Sequence, residues 1–456
     1  MEIPREATRL GKGAAMGTGR ETDRIGTMEP LGDGIRQQRA GVFDVQDNWT
    51  HNGGMPEQNP AARRAVPAPW RQWGADLDAQ SVQQMRDACA LPISVRGALM
   101  PDAHVGYGLP IGGVLATDRA VIPFAVGVDI ACRMKLSVLD LPLAWLDRNR
   151  QPLAHALETE TRFGVGVEFK ERRQHPVLDE DWNVSPVTRH FRDKAWAQLG
   201  TSGSGNHFVE FGKFTVTAPD LGLAPGEYLA LLSHSGSRGT GAQVCEHYSR
   251  VARQRRPEYG RLAWLLLDEA EGCEYWAAME LMGKYASANH ACIHRHLVRR
   301  LGADVLWGVE NHHNFAWRET HPLDPAGTGE AREMIVHRKG ATPAGQGVLG
   351  MIPGSMATPG FVVRGRGSEA ALCSAAHGAG RVMSRTQANR TFTWKNARPV
   401  LESANVTLLS AGLDEVPMVY KDIHAVMAAQ SDLVEILARF DPRIVKMAPA
   451  GERPED

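Results

Sequence analysis

The stretch FAVGVDIACRM, residues 124–134, is the one around which the rest of the chain reads as arranged. It leaves a Pro- and Gly-punctuated turn, sets Asp129 and Cys132 three residues apart, and runs on into apolar Met134, Leu136 and Val138. A carboxylate prefers hard cations and a thiolate softer ones, so the pair suits a divalent transition metal or a bridge between two. Two ligands do not make a site, and alone the stretch reads as a buried cysteine beside a turn aspartate. Three histidines in Gly/Ser/Asn-rich turns change that reading: His207 in GSGNHF, His234 in SHSGSRG and His313 in NHHNFA. With Asp129 and Cys132 they make a set of N, O and S donors sufficient for a mono- or dinuclear centre with open positions. His312 competes with His313, and periodicity does not separate them.

Bulk composition sets the frame. The chain has 456 residues, 43% hydrophobic and 23% charged, the balance of a water-soluble globular protein. A formal net charge of −1 excludes a globally basic nucleic-acid binder but leaves room for a local basic groove. Six cysteines without CxxC pairs imply free thiols and a reducing, cytoplasmic setting. There is no apolar run long enough to span a membrane and no apolar leader. Residues 1–62 lack apolar periodicity and are expected to be a disordered extension. Gly-rich turns spread over the remainder, with no linker between them, predict one large α+β catalytic domain over 63–447, its loops converging on a central cleft, and a loose tail over 448–456. Periodicity predicts helices over 77–90, 262–300 and 423–440, and a mostly helical stretch over 143–200 with Glu168, Lys170, Arg172 and Arg173 on its solvated face.

Other turns carry cations. Arg238 in HSGSRGTG, Arg338-Lys339-Gly340, and Arg381 in HGAGR each pair a cation with exposed backbone N–H groups, which suits phosphate oxygens. None matches the phosphate-loop pattern GxxxxGK[ST]. His377 lies among Ala375, Ala376, Gly378, Ala379 and Gly380, which leave a ligand room to reach the ring. A neutral imidazole there can attack phosphorus and form a phosphoramidate. His290, His294 and His296 put two imidazoles on one helical face, but residue 291 is Ala where a zinc protease carries its base, so these read as structural.

Taken together, MPDAHVGYGLPIGG, VGVDIACRM, GSGNHFVE, SHSGSRGTG, HHNFA, VHRKGATPA, IPGSM, AHGAGRVMSR and VYKDI, in this order, resemble the RtcB family of GTP-dependent RNA ligases. The resemblance implies an α+β fold particular to that family, GTP and two Mn²⁺ ions as cofactors, and RNA ends as substrate. It implies His377 as the guanylylated nucleophile and Asp129, Cys132, His207, His234 and His313 as metal ligands, Cys132 bridging. It thereby selects His313 over His312. Guanylate contacts are implied at Asn206, Phe208, Glu210, Pro353, Gly354, Ser355, Ala379, Gly380 and Tyr420, with Lys446 as the lysine on guanine. Asp102, His104, Arg238 and Arg381 are implied near the RNA. Archease is the activating partner the family suggests. The affinity order for divalent ions favours Zn²⁺ over Mn²⁺ at a Cys/His-rich centre, so Zn²⁺ is expected to bind as an inhibitor.

This chain departs from the family pattern at Ala131 and Arg133, where family members carry glycines beside the cysteine, and at Met447 beyond Lys446. Arg133 is expected to put a bulky cation beside the metal loop. A related Mn²⁺-dependent cyclic phosphodiesterase, or a 3′-end guanylyltransferase without efficient sealing, is the alternative activity.

Overall fold

A computed structural model describes residues 63–452, so the expectations for residues 1–62 and for the last four residues lie outside the described residues. The architecture is mixed α and β, as expected. The largest sheet runs in the order Leu349–Ile352, Gly360–Gly365, Val434–Met447, Phe208–Val216, Gly226–Ser235, Arg133–Leu139, Val305–His312. These strands pair antiparallel, and Thr407–Ser410 joins Val434–Met447 in parallel.

Alternation along the strands sends every second side chain to one face. Met134, Leu136, Val138, Phe214, Ala230, Leu232, Met351, Val362, Ala438 and Phe440 therefore share one apolar cluster, on the concave face of the sheet. The two outermost strands nearly meet. Asn311, at the end of Val305–His312, accepts from Met351 N (2.8 Å) and donates to Met351 O (3.3 Å) and to Thr342 Oγ1 (2.8 Å). One side-chain amide thus supplies ladder-like bonds where the backbones do not pair, and the sheet approaches a closed barrel.

The opposite face carries Leu139, Val209, Phe211, Leu229, Leu231 and Ile444. It is covered by Leu153 and Leu157 of the helix Arg150–Glu160 and by Ile293 and Leu297 of the helix Ala270–Leu301. That long helix stops at Gly302, which takes the left-handed conformation (φ 62°) that a side chain resists.

A second, five-stranded sheet has the order Trp70–Gln72, Ser94–His104, Ile111–Thr117, Ala331–Lys339, Asn314–Pro322. His313 is the single residue between Val305–His312 of the first sheet and Asn314–Pro322 of the second. The short strand Ala341–Pro343 pairs with Ser374–Ala376, and His377 follows directly. Three sheets therefore end at one place, which holds the candidate site.

Two sequence-based expectations are corrected. The helix expected over 423–440 is only Ile423–Ala428, and Val434–Met447 is a central strand between Gly360–Gly365 and Phe208–Val216. Its apolar spacing fits either period, and its two neighbours decide for the strand; Pro442 is tolerated because the pairing shifts between Pro442 and Ile444. Arg173, expected on a solvated face, is buried and donates to Gly200 O (3.1 Å) and Glu160 O (2.7 Å).

Replacing Asn311 by Ala strips three hydrogen bonds from a buried seam and leaves Met351 N and O without these partners. Denaturant unfolding is expected to show a loss of about 3 kcal/mol, at about 1 kcal/mol per bond.

Candidate metal and nucleotide centre

Cys132, His234 and His313 reach the same place because of strand parity. Cys132 is in step with Met134 and Leu136, His234 with Leu232 and Ala230, and His313 with Asn311 and Val309, all positions of the concave face or in line with it. Met134 is paired with both His234 and Asn311, so these donors emerge from three adjacent strands at one end of the barrel. His312 points the other way, its ring 5.0 Å from that of Trp317 and 5.1 Å from that of Phe315. Parity thus separates the two histidines that periodicity left equivalent.

The donors form a continuous chain. Asp129 Oδ2 lies 3.0 Å from His207 Nε2, which is 3.4 Å from Cys132 Sγ; Cys132 Sγ is 3.1 Å from His234 Nε2, which is 3.2 Å from His313 Nε2. Each link joins atoms that carry lone pairs, and such atoms stay together only around a proton or a cation. Cys132, His207 and His234 close into a group with all ligand atoms within 4.8 Å of one another. All five residues are buried, and His313 Nδ1 has no hydrogen-bond partner among the described residues. Thiolate, imidazole and carboxylate in this arrangement could hold divalent transition ions, and Cys132, in the middle of the chain, is the donor placed to touch two.

The surroundings prepare the donors. Burial pushes His234 down to about 3, helped by the neighbouring His207, and burial holds His313 well below the usual imidazole range. Both rings are therefore neutral at pH 7 and offer lone pairs. His234 Nδ1 faces Asn206 O at 3.1 Å, which sets the proton on Nδ1 and leaves Nε2 for a ligand. Burial opposes ionisation of Asp129, but the bond from His207 and the nearby Arg238 outweigh it and hold its pKa at about 2. Asp129 Oδ1 also accepts from Ser237 N at 3.0 Å. Gly236 is needed beside it, because a Cβ there would overlap that carboxylate.

His377 stands next to this centre, its ring 4.9 Å from that of His313. Its Nδ1 is 2.7 Å from Asp102 Oδ2, and the same oxygen accepts from the backbone N–H of His377 (3.1 Å) and Gly378 (3.3 Å). The carboxylate holds the proton on Nδ1 and turns the Nε2 lone pair outward, the orienting role an aspartate plays for a catalytic imidazole. Gly380 (φ 73°) permits the approach, since a Cβ would run into Asp102 O. This contact was not foreseen from sequence, which put Asp102 and His104 only near the RNA. His104 lies beside it, Nδ1 3.0 Å from Asp102 O, its pKa pushed by burial to about 4. Lys421 of VYKDI secures the same segment through Pro101 O (3.1 Å) and Ala103 O (2.7 Å). Asn314 of HHNFA bridges Asp129 O (3.3 Å) and Gly340 N (2.8 Å).

Phe208 and Glu210 continue down the concave face, Phe208 with its ring 5.6 Å from that of His234. Glu210 is buried, and burial raises its pKa well above the carboxylate range. Pro353 O lies beside Gly378, so the 353–355 turn meets the 378–380 turn, and Ser355 N donates to Thr358 Oγ1 (2.7 Å). Tyr420 is paired to Arg381 through a backbone bridge, and its hydroxyl donates to Glu415. Ala379 is buried within the same turn.

Three residues are placed differently from the rest. Lys446 shares a face with Val209, outside the barrel, and its Nζ meets Leu157 O (3.1 Å) at the end of the helix Arg150–Glu160. Arg238 is buried against Thr201 Oγ1 (3.3 Å) and His207 Nδ1 (3.4 Å), behind the metal donors. Arg381 donates to Asp414 O (2.7 Å), ion-pairs with Glu415 (3.4 Å) and lies 5.5 Å from the Tyr420 ring centre. Arg133, expected to crowd the metal loop, points to the other face, where it pairs with Glu310 and donates to Gly283 O (2.9 Å). His290 and His294 bond to Ser233 Oγ (2.7 and 2.9 Å), as structural histidines.

A family model described as "tRNA-splicing ligase RtcB" matches residues 84–187 and 179–447. The chain is 33% identical over 409 residues to the RNA-splicing ligase RtcB of Escherichia coli, covering 81% of this chain and 95% of the relative. It is 34% identical to the RNA-splicing ligase RtcB of Mycobacterium tuberculosis, over 79% of this chain and 98% of the relative. With the tRNA-splicing ligase RtcB of Archaeoglobus fulgidus it shares 30% identity, over 82% and 91%. The chain belongs to the RtcB family.

Two outcomes are expected. A divalent transition ion held by these donors, at about 100 times its Kd, should stabilise the protein by about 2.7 kcal/mol; in thermal melts this shift should disappear in His234→Ala and on adding EDTA to the wild type. Ala131 is buried at φ 56°, where a β-branched side chain is strained. Ala131→Val should therefore lose about 3 kcal/mol, whereas Ala131→Gly should stay within about 1 kcal/mol of wild type, relief of strain offsetting the lost methyl.

Proposed function

We propose that this chain is an RNA ligase that uses GTP and two Mn²⁺ ions to join RNA 2′,3′-cyclic phosphate or 3′-phosphate ends to 5′-hydroxyl ends. The observation that carries this reading is His377, oriented through Nδ1 by Asp102 at 2.7 Å and standing beside the donor His313. A ring held in this way presents a nucleophile, not a ligand wrapped by others.

His377 Nε2 attacks the α-phosphorus of GTP; the new N–P bond replaces the bond to the β-phosphate bridge, and pyrophosphate leaves. A cyclic phosphate end is opened by water to a 3′-phosphate. An oxygen of that phosphate takes the guanylyl group from His377, breaking the N–P bond. The 5′-hydroxyl then attacks the 3′-phosphorus, joining the strands and releasing GMP. Asp102 keeps the proton on Nδ1 at the first step and stabilises the ring's positive charge when the phosphoramidate forms. Mn²⁺ held by Asp129, Cys132, His207, His234 and His313 would neutralise phosphate charge and polarise the reacting phosphoryl group. In this reading guanine would lie toward Phe208, which offers an aromatic surface, and Glu210, whose carboxyl could accept from the base's N–H groups. Burial alone disfavours the Glu210 anion, and two such donors would restore it, which selects GTP over ATP.

The reading extends to tRNA splicing or RNA repair in the cytoplasm, with an archease-type protein as activator. Incubation with α-labelled GTP and Mn²⁺, followed by a denaturing gel, tests it. Wild type should carry an acid-labile, base-stable label, and His377→Ala none. Asp102→Ala should lower the labelling rate by about 10²-fold or more, because the tautomer is no longer held. An unlabelled wild type that still opens cyclic phosphates would point instead to a Mn²⁺-dependent phosphodiesterase. Labelling without strand joining would point to a 3′-end guanylyltransferase.

A further inference from the structure

A second group of metal-binding side chains lies away from the central centre, where Asn314–Pro322 meets the turn before Ser374–Ala376. His321, Glu369 and Cys373 each bring a ligand atom within 4.8 Å of the others. His321 Nδ1 is 2.9 Å from Glu369 Oε2, and Cys373 Sγ is 3.6 Å from Glu369 Oε1. The other ring nitrogen, His321 Nε2, is 2.8 Å from Glu319 Oε2. Glu319 in turn is clamped by Arg338, whose Nη1 and Nη2 reach its two oxygens at 2.7 and 2.9 Å.

This is the outer arrangement that ligating histidines have. A fixed carboxylate takes the N–H of one nitrogen, fixes the tautomer and turns the other lone pair toward the ion. Facing Glu369, that second nitrogen needs something positive between it and the carboxylate: a proton or a metal ion. The Cys373 thiol is directed to the same point by an unusual backbone, since Leu372 and Cys373 are consecutive non-glycine residues in the left-handed region, φ 50° and 47°. Two strained residues in a row are rarely kept without a function for the side chains they aim. Ring and guanidinium are buried, while the Glu369 side chain is 37% exposed, so an ion can enter from that side.

We propose that His321 Nδ1, Glu369 and Cys373 Sγ form a second metal site, selective for a borderline-soft dication of the Zn²⁺ class, with Glu319 as the carboxylate that orients His321. Thiolate, imidazole and carboxylate are the donor set Zn²⁺ prefers, and three protein ligands leave the fourth position to water. On binding, the ion displaces the Cys373 thiol proton and the proton between His321 and Glu369. Two positive charges leave and two enter, so the flanking Arg96 and Arg338 meet no added charge. The two arginines are already committed, Arg96 to Pro322 O (2.6 Å) and Glu369 O (2.5 Å), Arg338 to Glu319 and Ser374 Oγ (2.8 Å). Ser374 begins the short strand Ser374–Ala376, which His377 follows directly, and Asn314–Pro322 begins directly after His313. An ion here would therefore tie the strand that carries the nucleophile to the strand that leaves a central metal donor. The inference does not rest on the ligase reading.

The test is alkylation of the intact wild-type protein by iodoacetamide, with and without Zn²⁺, read cysteine by cysteine by peptide mass spectrometry. Zn²⁺ should slow modification of Cys373 at least about tenfold, because a ligated thiolate is no longer free to attack; exposed Cys273 serves as the internal control and should not change. Protection of Cys373 should persist in His234→Ala, which disables the central centre, and be lost in His321→Gln and in Glu369→Gln. EDTA should restore the unprotected rate. Equal modification of Cys373 with and without Zn²⁺, or protection that survives both ligand substitutions or fails in His234→Ala, would overturn the proposal.

Discussion

Antiparallel pairing of Gly226–Ser235 and Val305–His312 on either side of Arg133–Leu139 is the constraint on which the chemistry of this molecule depends. A side chain on a strand has only two faces to choose from. Once Met134, Leu136 and Val138 are committed to the apolar concave face, Cys132 must follow them, and the paired strands bring His234 and His313 to the same end. A one-residue slip in either pairing would send an imidazole to the helix-covered side, where Arg133 and His312 now stand. The core and the candidate metal centre thus share one register, and stability of the first is precision in the second.

The site is built of groups that are unfavourable without one another. Five buried donors in a row, two of them neutral imidazoles whose pKa values burial has lowered, form a poor core and a good ligand cage. The cage is tightened from outside by hydrogen-bond contacts to its donors: Asn206 O on His234, Ser237 N on Asp129, Arg238 behind His207. Asp102 treats His377 in the same way, but with the opposite consequence. One orienting carboxylate turns an imidazole outward as a nucleophile, where a carbonyl turns another inward as a ligand. The His321–Glu319–Arg338 arrangement repeats the first motif at a distance, facing a thiol and a second carboxylate.

Ala131 and Arg133 show how a departure from the family pattern is accommodated. Ala131 occupies a left-handed position and donates to Asn314 O at 2.6 Å, so the loop keeps its shape at a cost in local strain. Arg133 is absorbed on the far face by Glu310, so its charge is directed away from the cleft. Neither side chain is among the donor atoms that meet at the centre.

Much of this was legible in the sequence. Asp129, Cys132, His207, His234 and His313 each read alone as structural residues of Gly-rich turns and suggested a donor set only together, and His377 stood out by the small residues around it. The helix Ala270–Leu301 also followed from local periodicity. Tertiary structure alone decided the rest. It made a strand of Val434–Met447, whose spacing suits either period, because two neighbouring strands required a partner. It gave the selection of His313 over His312 its physical reason, the face of the strand, put Asp102 on His377, and turned Lys446, Arg238 and Arg381 onto protein partners. Residue type and local spacing state what a side chain is able to do; what it meets is set by strands that lie hundreds of residues apart in the chain, and no local pattern contains that pairing.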